Sequence, residues 1–258
     1  MSDSLVLVEG EGPIVATAIH DGHGLRPECE AAMALDEASR LREEDPFTAR
    51  VAAVAPTHLI ATRSRFEVDL NRPRDQAVYL CAADAWGLEV WAAPPTADLV
   101  ARSLAQYDAF YAVLERVLRE RVRRHGRFVV LDIHSYNHRR DGADGAAADP
   151  AANPEINLGT GSLDRARWGA LVTRFSRDLA AAAPLGRPLD VRENVKFQGG
   201  ELSKWVHRTF PATGCCLALE LKKTFMNEWT GVVDADHLAG LARAVRGTLP
   251  GLLESLAS

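Results

Sequence analysis

Phe128-Val129-Val130-Leu131-Asp132-Ile133-His134-Ser135-Tyr136-Asn137 begins as an apolar run and ends in a carboxylate, an imidazole and a cluster of polar groups. An apolar run without alternation reads as a strand buried on both faces. Ligands in open α/β sheets bind beyond the carboxyl ends of strands. His134, delivered to such an end, is therefore a candidate for metal or acid–base chemistry. Asp132 lies two residues earlier and points the same way along a strand. It can orient an imidazole, or it can pair with a nearby arginine.

Working outward, Leu99 to His125 carries Leu104, Tyr107, Tyr111, Leu114 and Leu118 at helical spacing, which predicts a long helix before the strand. After it, 141–161 is rich in Gly, Ala, Pro, Asn and Asp and predicts a long loop over the strand ends. Upstream, Leu5 to Val8 and Ile14 to Ile19 read as a hairpin or two edge strands. Pro27 to about Arg42 reads as one helix and His58 to Ala61 as a strand. Phe66, Val68 and Leu70 alternate with polar residues, as in a half-buried strand. Downstream, helices are expected over Arg167–Ala183, Gly200–Arg208 and Asp236–Leu256, and strands over Leu189–Val191 and Cys215–Leu221. Strands alternate with helices and no repeat is visible, so the expected class is α/β, with residues 1–258 forming a single domain.

Composition narrows the partners. The formal net charge of −5 gives no reason to expect nucleic acid or an anionic membrane surface. No run approaches the ~18 apolar residues of a membrane span. Met1 to Gly10 lacks the pattern of a secretory signal, which points to the cytoplasm. Cys29, Cys81, Cys215 and Cys216 form no C-x-x-C pair and read as reduced thiols.

Several residues can carry chemistry. His20 and His23 share a polar loop after a strand, and with His134 they could supply the three protein ligands of a catalytic zinc. Alone, an H-x-x-H in a loop is weak evidence and reads as a polar turn with hydrogen-bonded imidazoles. Glu220 sits inside the apolar Cys215–Leu221 run. A carboxylate there must be satisfied or functional: either a general base or an ion-pair partner of Lys222 or Lys223. Arg63, Arg65, Asn71 and Arg72 make a cluster suited to an anion, or a salt-bridged edge with Glu67 and Asp69. His125, His138 and His237 read as surface residues.

Six stretches, in order, carry a resemblance: His20-Asp21-Gly22, Arg65 to Pro73, Asp132 to Ser135, Asn157 to Thr160, Phe197 to Gly200, and Ala218 to Lys222. Together the chain resembles the N-formylglutamate amidohydrolase family, itself similar to zinc carboxypeptidases and aspartoacylase. The resemblance implies a mixed β-sheet flanked by helices, of the zinc-carboxypeptidase-like kind, and a zinc cofactor. It implies that His20 and His134 ligate zinc, that Asn71 and Arg72 hold a substrate carboxylate, and that Glu220 is the general base. Arg65, or else Arg63, would stabilise the oxyanion. His23 stands where the carboxypeptidase relatives have a glutamate and is favoured as the third ligand, with Asp45 the alternative. Arg139-Arg140 and Trp205 depart from the pattern and suggest a differently lined pocket. The expected activity is zinc-dependent hydrolysis of a small N-acyl amino acid, N-formyl included, or a related carboxylate-bearing amide. A carboxypeptidase-like or deacylase activity on a peptide or acylated amine, and a non-catalytic carboxylate-binding protein, are the alternatives.

Overall fold

The computed structural model describes residues 4–184 and 186–257. Met1 to Asp3, at the start of the segment read for a signal, lie outside the described residues, as do Leu185 and Ser258. The strands are β1 (Leu5–Val8), β2 (Ile14–Ala18), β3 (Thr57–Ala61), β4 (Phe128–Tyr136), β5 (Ile156–Gly159), β6 (Val191–Glu193) and β7 (Gly214–Lys222). The helices are α1 (Pro27–Ala32), α2 (Glu37–Glu43), α3 (Thr48–Ala52), α4 (Ala97–His125), α5 (Arg165–Ala181), α6 (Glu201–Thr209) and α7 (Ala235–Ala257). The strands form one sheet in the order β1-β3-β2-β4-β7-β5-β6. Neighbours from β3 through β7 run parallel, β1 runs antiparallel to β3, and β5 and β6 run antiparallel to β7. This is the mixed, helix-flanked sheet expected.

The alternation of side chains assigns the two layers. Val129, Leu131 and Ile133 of β4 pack with Trp168 and Phe175 of α5 and Leu241 of α7. Phe128 and Val130 pack on the opposite side, with Leu114 of α4 and Val206 of α6. Asp132 and His134 continue that second face beyond the apolar core. Nothing interrupts β4 because both of its faces are covered: all nine of its residues are buried. Among the described residues, no helix is long and apolar enough to cross a membrane. All four cysteines are free thiols, and Cys81 is exposed.

The N-terminal third departs from the expected elements. β1 and β2 do not form a hairpin. β2 is central and fully buried, and β3 lies between it and β1. A strand buried on both faces and parallel to its neighbours has no polar alternation by which to place it. The expected single helix from Pro27 is two. Met33 turns extended and pairs with Trp91, and Asp36 starts α2 by accepting from the Ser39 amide at 2.7 Å. Residues 66–70 are turns rather than a strand, held by hydrogen bonds that the Glu67 and Val68 amides donate to the Ser64 carbonyl. His138 and His237 are buried, not surface residues; His138 rests on Glu228 and His237 on the Thr224 carbonyl. Trp205 packs edge-on against Tyr111 and Phe210 in the α4–α6 layer rather than lining a pocket.

His207 ties α6 to the sheet. Its Nε2 accepts from the Cys216 amide at 3.0 Å, and its Nδ1 lies 2.8 Å from Ser162 Oγ. Burial pushes its pKa down to about 4, and protonation would also remove the acceptor that Cys216 needs. The unfolded chain takes up this proton below about pH 6.5, whereas the folded one resists to about 4. The contribution is therefore complete above 6.5 and is lost as pH falls from there to about 4. The loss is on the order of 3 kcal/mol. Denaturant titrations of the wild type should steepen in acid over this window, and His207→Gln should flatten that part of the pH profile.

Candidate active site

Three parallel neighbours, β2, β4 and β7, end at one cleft. β2 leads into His20, β4 carries His134, and β7 carries Glu220 directly across from His134 in the strand register. Asp45 comes from the connection between α2 and α3, where its amide donates to the His20 carbonyl at 2.9 Å. A cavity of about 610 Å³ opens over these groups, a volume suited to a small molecule. It is also lined by Arg65, Asn71, Trp86, Arg140 and Lys196.

His20, Asp45 and His134 are buried, and one potential ligand atom from each lies within 4.8 Å of the others. Asp45 Oδ2 is 3.0 Å from His134 Nδ1 and 3.3 Å from His20 Nδ1. Each ring is braced from behind. His20 Nε2 sits 2.7 Å from Asp69 Oδ1, and His134 Nε2 sits 2.9 Å from Asp132 Oδ2. Asp132 is fixed in turn by Thr17 Oγ1 at 2.7 Å. Asp69 also accepts from Arg65 Nη2 and the Asn71 amide, both at 2.8 Å, and from the Tyr79 hydroxyl. Carboxylates behind ligating imidazoles fix the tautomer and raise ligand basicity.

This arrangement fits a cation. An imidazole that donates its Nε2–H to the carboxylate behind it turns the Nδ1 lone pair toward Asp45. Two lone pairs and a carboxylate oxygen then converge with no donor between them, and His20 Nδ1 is buried without a hydrogen-bond partner. Although burial opposes the charge, the Asp132 and Asp45 carboxylates hold His134 well above the ordinary imidazole range. The field that favours a proton on that ring favours a metal ion equally.

His23, favoured by spacing, is not in the group. Its Nδ1 lies 2.5 Å from Glu44 Oε2, and the Arg40 guanidinium donates to its carbonyl at 3.0 Å. The third position of the cluster is Asp45. Glu220 has neither lysine as a partner. Lys222 donates to the Asn153 carbonyl, and Lys223 to the Arg42 and Glu44 carbonyls and to Asn137 Oδ1. Burial, with the Asp45 and Asp132 charges adding to it and His134 opposing, pushes the Glu220 carboxyl up to about 7.

The basic cluster divides. Arg65 lines the cavity with its guanidinium over Trp86, and its buried Nε has no hydrogen-bond partner. Asn71 also lines it. Its Oδ1 accepts from the Leu202 amide at 3.1 Å, which leaves Nδ2 toward His134 at 3.4 Å. Gly200 is needed here, because any Cβ at that position would overlap the Asn71 amide. Arg72 is not among the residues that line the cavity. It donates to the Asp84 carbonyl at 3.0 Å and stacks over Tyr79 and Trp86. Arg63 lines a separate apolar groove beside β1 and α4. Asp69, behind His20, and Lys223, which lines the cavity, belong to the site although the sequence reading did not include them. The sequence signal for Asp69 is its place two residues before the Asn71-Arg72 pair; Lys223 has no such local signal.

A family model for N-formylglutamate amidohydrolases matches residues 12–226, a span that contains every element of the cleft. The chain belongs to the N-formylglutamate amidohydrolase family. Membership makes it a hydrolase of the amidohydrolase type. It is similar to the N-formylglutamate deformylase of Pseudomonas aeruginosa, 28% identical over 274 residues, covering 99% of this chain and 97% of that one. Its fold is shared with the solved N-formylglutamate amidohydrolase of Ralstonia eutropha JMP134, with a TM-score of 0.76, 20% identity, and coverage of 98% and 97%. A gene product of Agrobacterium tumefaciens has the same fold, with a TM-score of 0.70, 17% identity, and coverage of 100% and 97%. Within the family's frame, the buried His20–Asp45–His134 group is a candidate metal site.

Proposed function

We propose that this member of the N-formylglutamate amidohydrolase family is a zinc-dependent enzyme. Its substrate would be a small N-acyl amino acid, N-formyl included, cleaved at the amide. The observation that carries the reading is the convergence of two backed imidazoles and one carboxylate around the unpartnered His20 Nδ1, with Glu220 across the strand pair. Two nitrogens and one oxygen are a donor set that suits zinc better than magnesium or calcium, which favour oxygen throughout.

His20, Asp45 and His134 would hold the zinc ion, which would supply Lewis-acid polarisation of a carbonyl and of water. Glu220 is placed to take the proton of the attacking water and return it to the departing amine. A carboxyl raised toward neutrality suits both halves of that task. The free Nε–H of Arg65 donates to the oxygen on which negative charge develops. The Asn71 amide, held by Leu202 and Gly200, orients the substrate. Arg72, stacked over Trp86 and near Asp69, would steady that wall.

The test is a hydrolysis screen over N-formyl, N-acetyl and N-succinyl amino acids, with zinc and after chelation. Turnover should appear with zinc, vanish on chelation and return on adding zinc back. Equal rates with and without chelator would overturn the zinc assignment. Stoichiometric zinc without turnover of any acylated amine would favour a binding protein.

A further inference from the structure

His20 and His134 reach the cleft from strand ends, but Asp45 arrives on the connection between α2 and α3. One peptide unit decides where its carboxylate points. The N–H of that unit belongs to Asp45 and donates to the His20 carbonyl at 2.9 Å. The carbonyl of the unit belongs to Glu44 and accepts from Lys223 Nζ at 2.6 Å. A peptide unit is planar, so hydrogen bonds at its two ends fix the plane and with it the Asp45 Cα. The bond to His20 relates Asp45 to the first imidazole. Lys223 relates it to the second, because the same ammonium donates to Asn137 Oδ1 at 2.9 Å, three residues beyond His134. Its remaining bond, to the Arg42 carbonyl at 2.6 Å, holds the last turn of α2.

The lysine is itself firmly placed. It follows β7 directly, and the end of that strand is paired on both flanks. Lys222 is in register with Tyr136 of β4, and Glu220 with Asn157 of β5. The Lys222 amide donates to the Glu155 carbonyl at 2.9 Å. Lys223 is 1% exposed, a costly place for an ammonium unless its hydrogen bonds are complete. They are complete: an ammonium has three N–H donors, and three protein oxygens accept them. Although Lys223 lines the cavity, its hydrogens are therefore spent within the protein. One side chain thus joins the strand of Glu220, the segment after His134 and the loop of Asp45.

We propose that Lys223 is a positioning residue for the metal centre: by holding the Glu44 carbonyl, it sets the Asp45 carboxylate against the two imidazoles. The proposal rests on the reading of His20, Asp45 and His134 as a metal site. It is independent of the substrate and of the acyl group cleaved.

The experiment compares the full-length wild type with Lys223→Met, which keeps the length of the side chain and removes its donors. Zinc affinity is measured by competition with a chromophoric chelator. The visible spectrum of the cobalt(II)-loaded protein reports the geometry around the ion, which a lysine that merely supported the fold would not alter. Lys223→Met should bind zinc at least ~10-fold more weakly than the wild type, as when other groups that orient metal ligands are removed. Its cobalt bands should change in position and intensity. Asn137→Ala is the second variant. It keeps the lysine and cuts only the tie to the segment after His134, so zinc affinity should fall in the same direction by a smaller factor. A folded Lys223→Met with wild-type zinc affinity and an unaltered cobalt spectrum overturns the proposal. If Lys223→Met does not fold, unchanged affinity and spectrum in Asn137→Ala overturn it instead. A wild type that takes up neither zinc nor cobalt sinks the metal reading itself. A wild type that binds both, beside variants that bind them equally well, leaves that reading standing and removes only the role of Lys223.

Discussion

The Glu220→Gln protein should bind zinc as the wild type does and lose about 10²- to 10⁴-fold in kcat, the range for removing a positioned general base. The side chain is close to isosteric. Neither lysine beside it is its partner, so no ion pair is broken. Losing a carboxylate from a cleft that already holds Asp45 and Asp132 relieves repulsion, so the melting temperature should not fall. Zinc titration, thermal unfolding and turnover on a common substrate separate these effects. Full activity in the variant would remove Glu220 from the mechanism. In the wild type the base works only when ionised, so activity should fall as pH drops through an acid limb. That limb should lie no higher than about pH 7, because burial sets the carboxyl near 7 and a bound cation draws it lower.

Asp45→Asn should weaken zinc binding at least ~100-fold, an estimate from spreading the ~10–16 kcal/mol of a typical zinc site over its ligands. An amide oxygen carries no charge, and the two Nδ1 atoms would be left facing a neutral group. Ser135 Oγ, now 3.2 Å from Asp45 Oδ1, can still donate to the amide oxygen, so the loop should stay folded. His23→Ala is the informative control. That ring is engaged with Glu44 and lies outside the cluster, so zinc affinity should change by no more than about twofold. If competition titrations gave the reverse pattern, with Asp45→Asn unchanged and His23→Ala impaired, the ligand set would have to be redrawn.

The parts of the molecule legible in the sequence are those governed by local pattern. β4 and β7 are uninterrupted apolar runs, and α4 carries an unbroken helical stripe, so their positions could be read directly. The central place of β2 could not be read, because its Ile-Val-Ala-Thr-Ala run suits an edge or an interior strand equally, and strand order is decided by crossovers far along the chain. Residues 66–70 mimic a strand because alternate side chains are buried in a succession of turns, where a carboxylate such as Asp69 is satisfied by groups 49 residues upstream and 10 downstream. The site was legible in the same uneven way. Asp132 and His134 share a face by strand geometry alone. The choice between His23 and Asp45 needs the path of the chain through α1 and α2, since spacing after His20 says nothing about which group the α2–α3 connection brings back.

Asn157 gives the fold an asymmetry. The side chains at 140 and 196 project from loops whose backbones are fastened by other residues, so either can be exchanged without disturbing the strand ends that carry the chemistry. Asn157 itself has no such freedom, for its amide serves the loop while its backbone pairs beside Glu220. Substitutions at the two cationic positions should therefore leave the fold intact. Buried Asn157 joins the loop after β6 to the strand beside Glu220, so its replacement should disturb both at once.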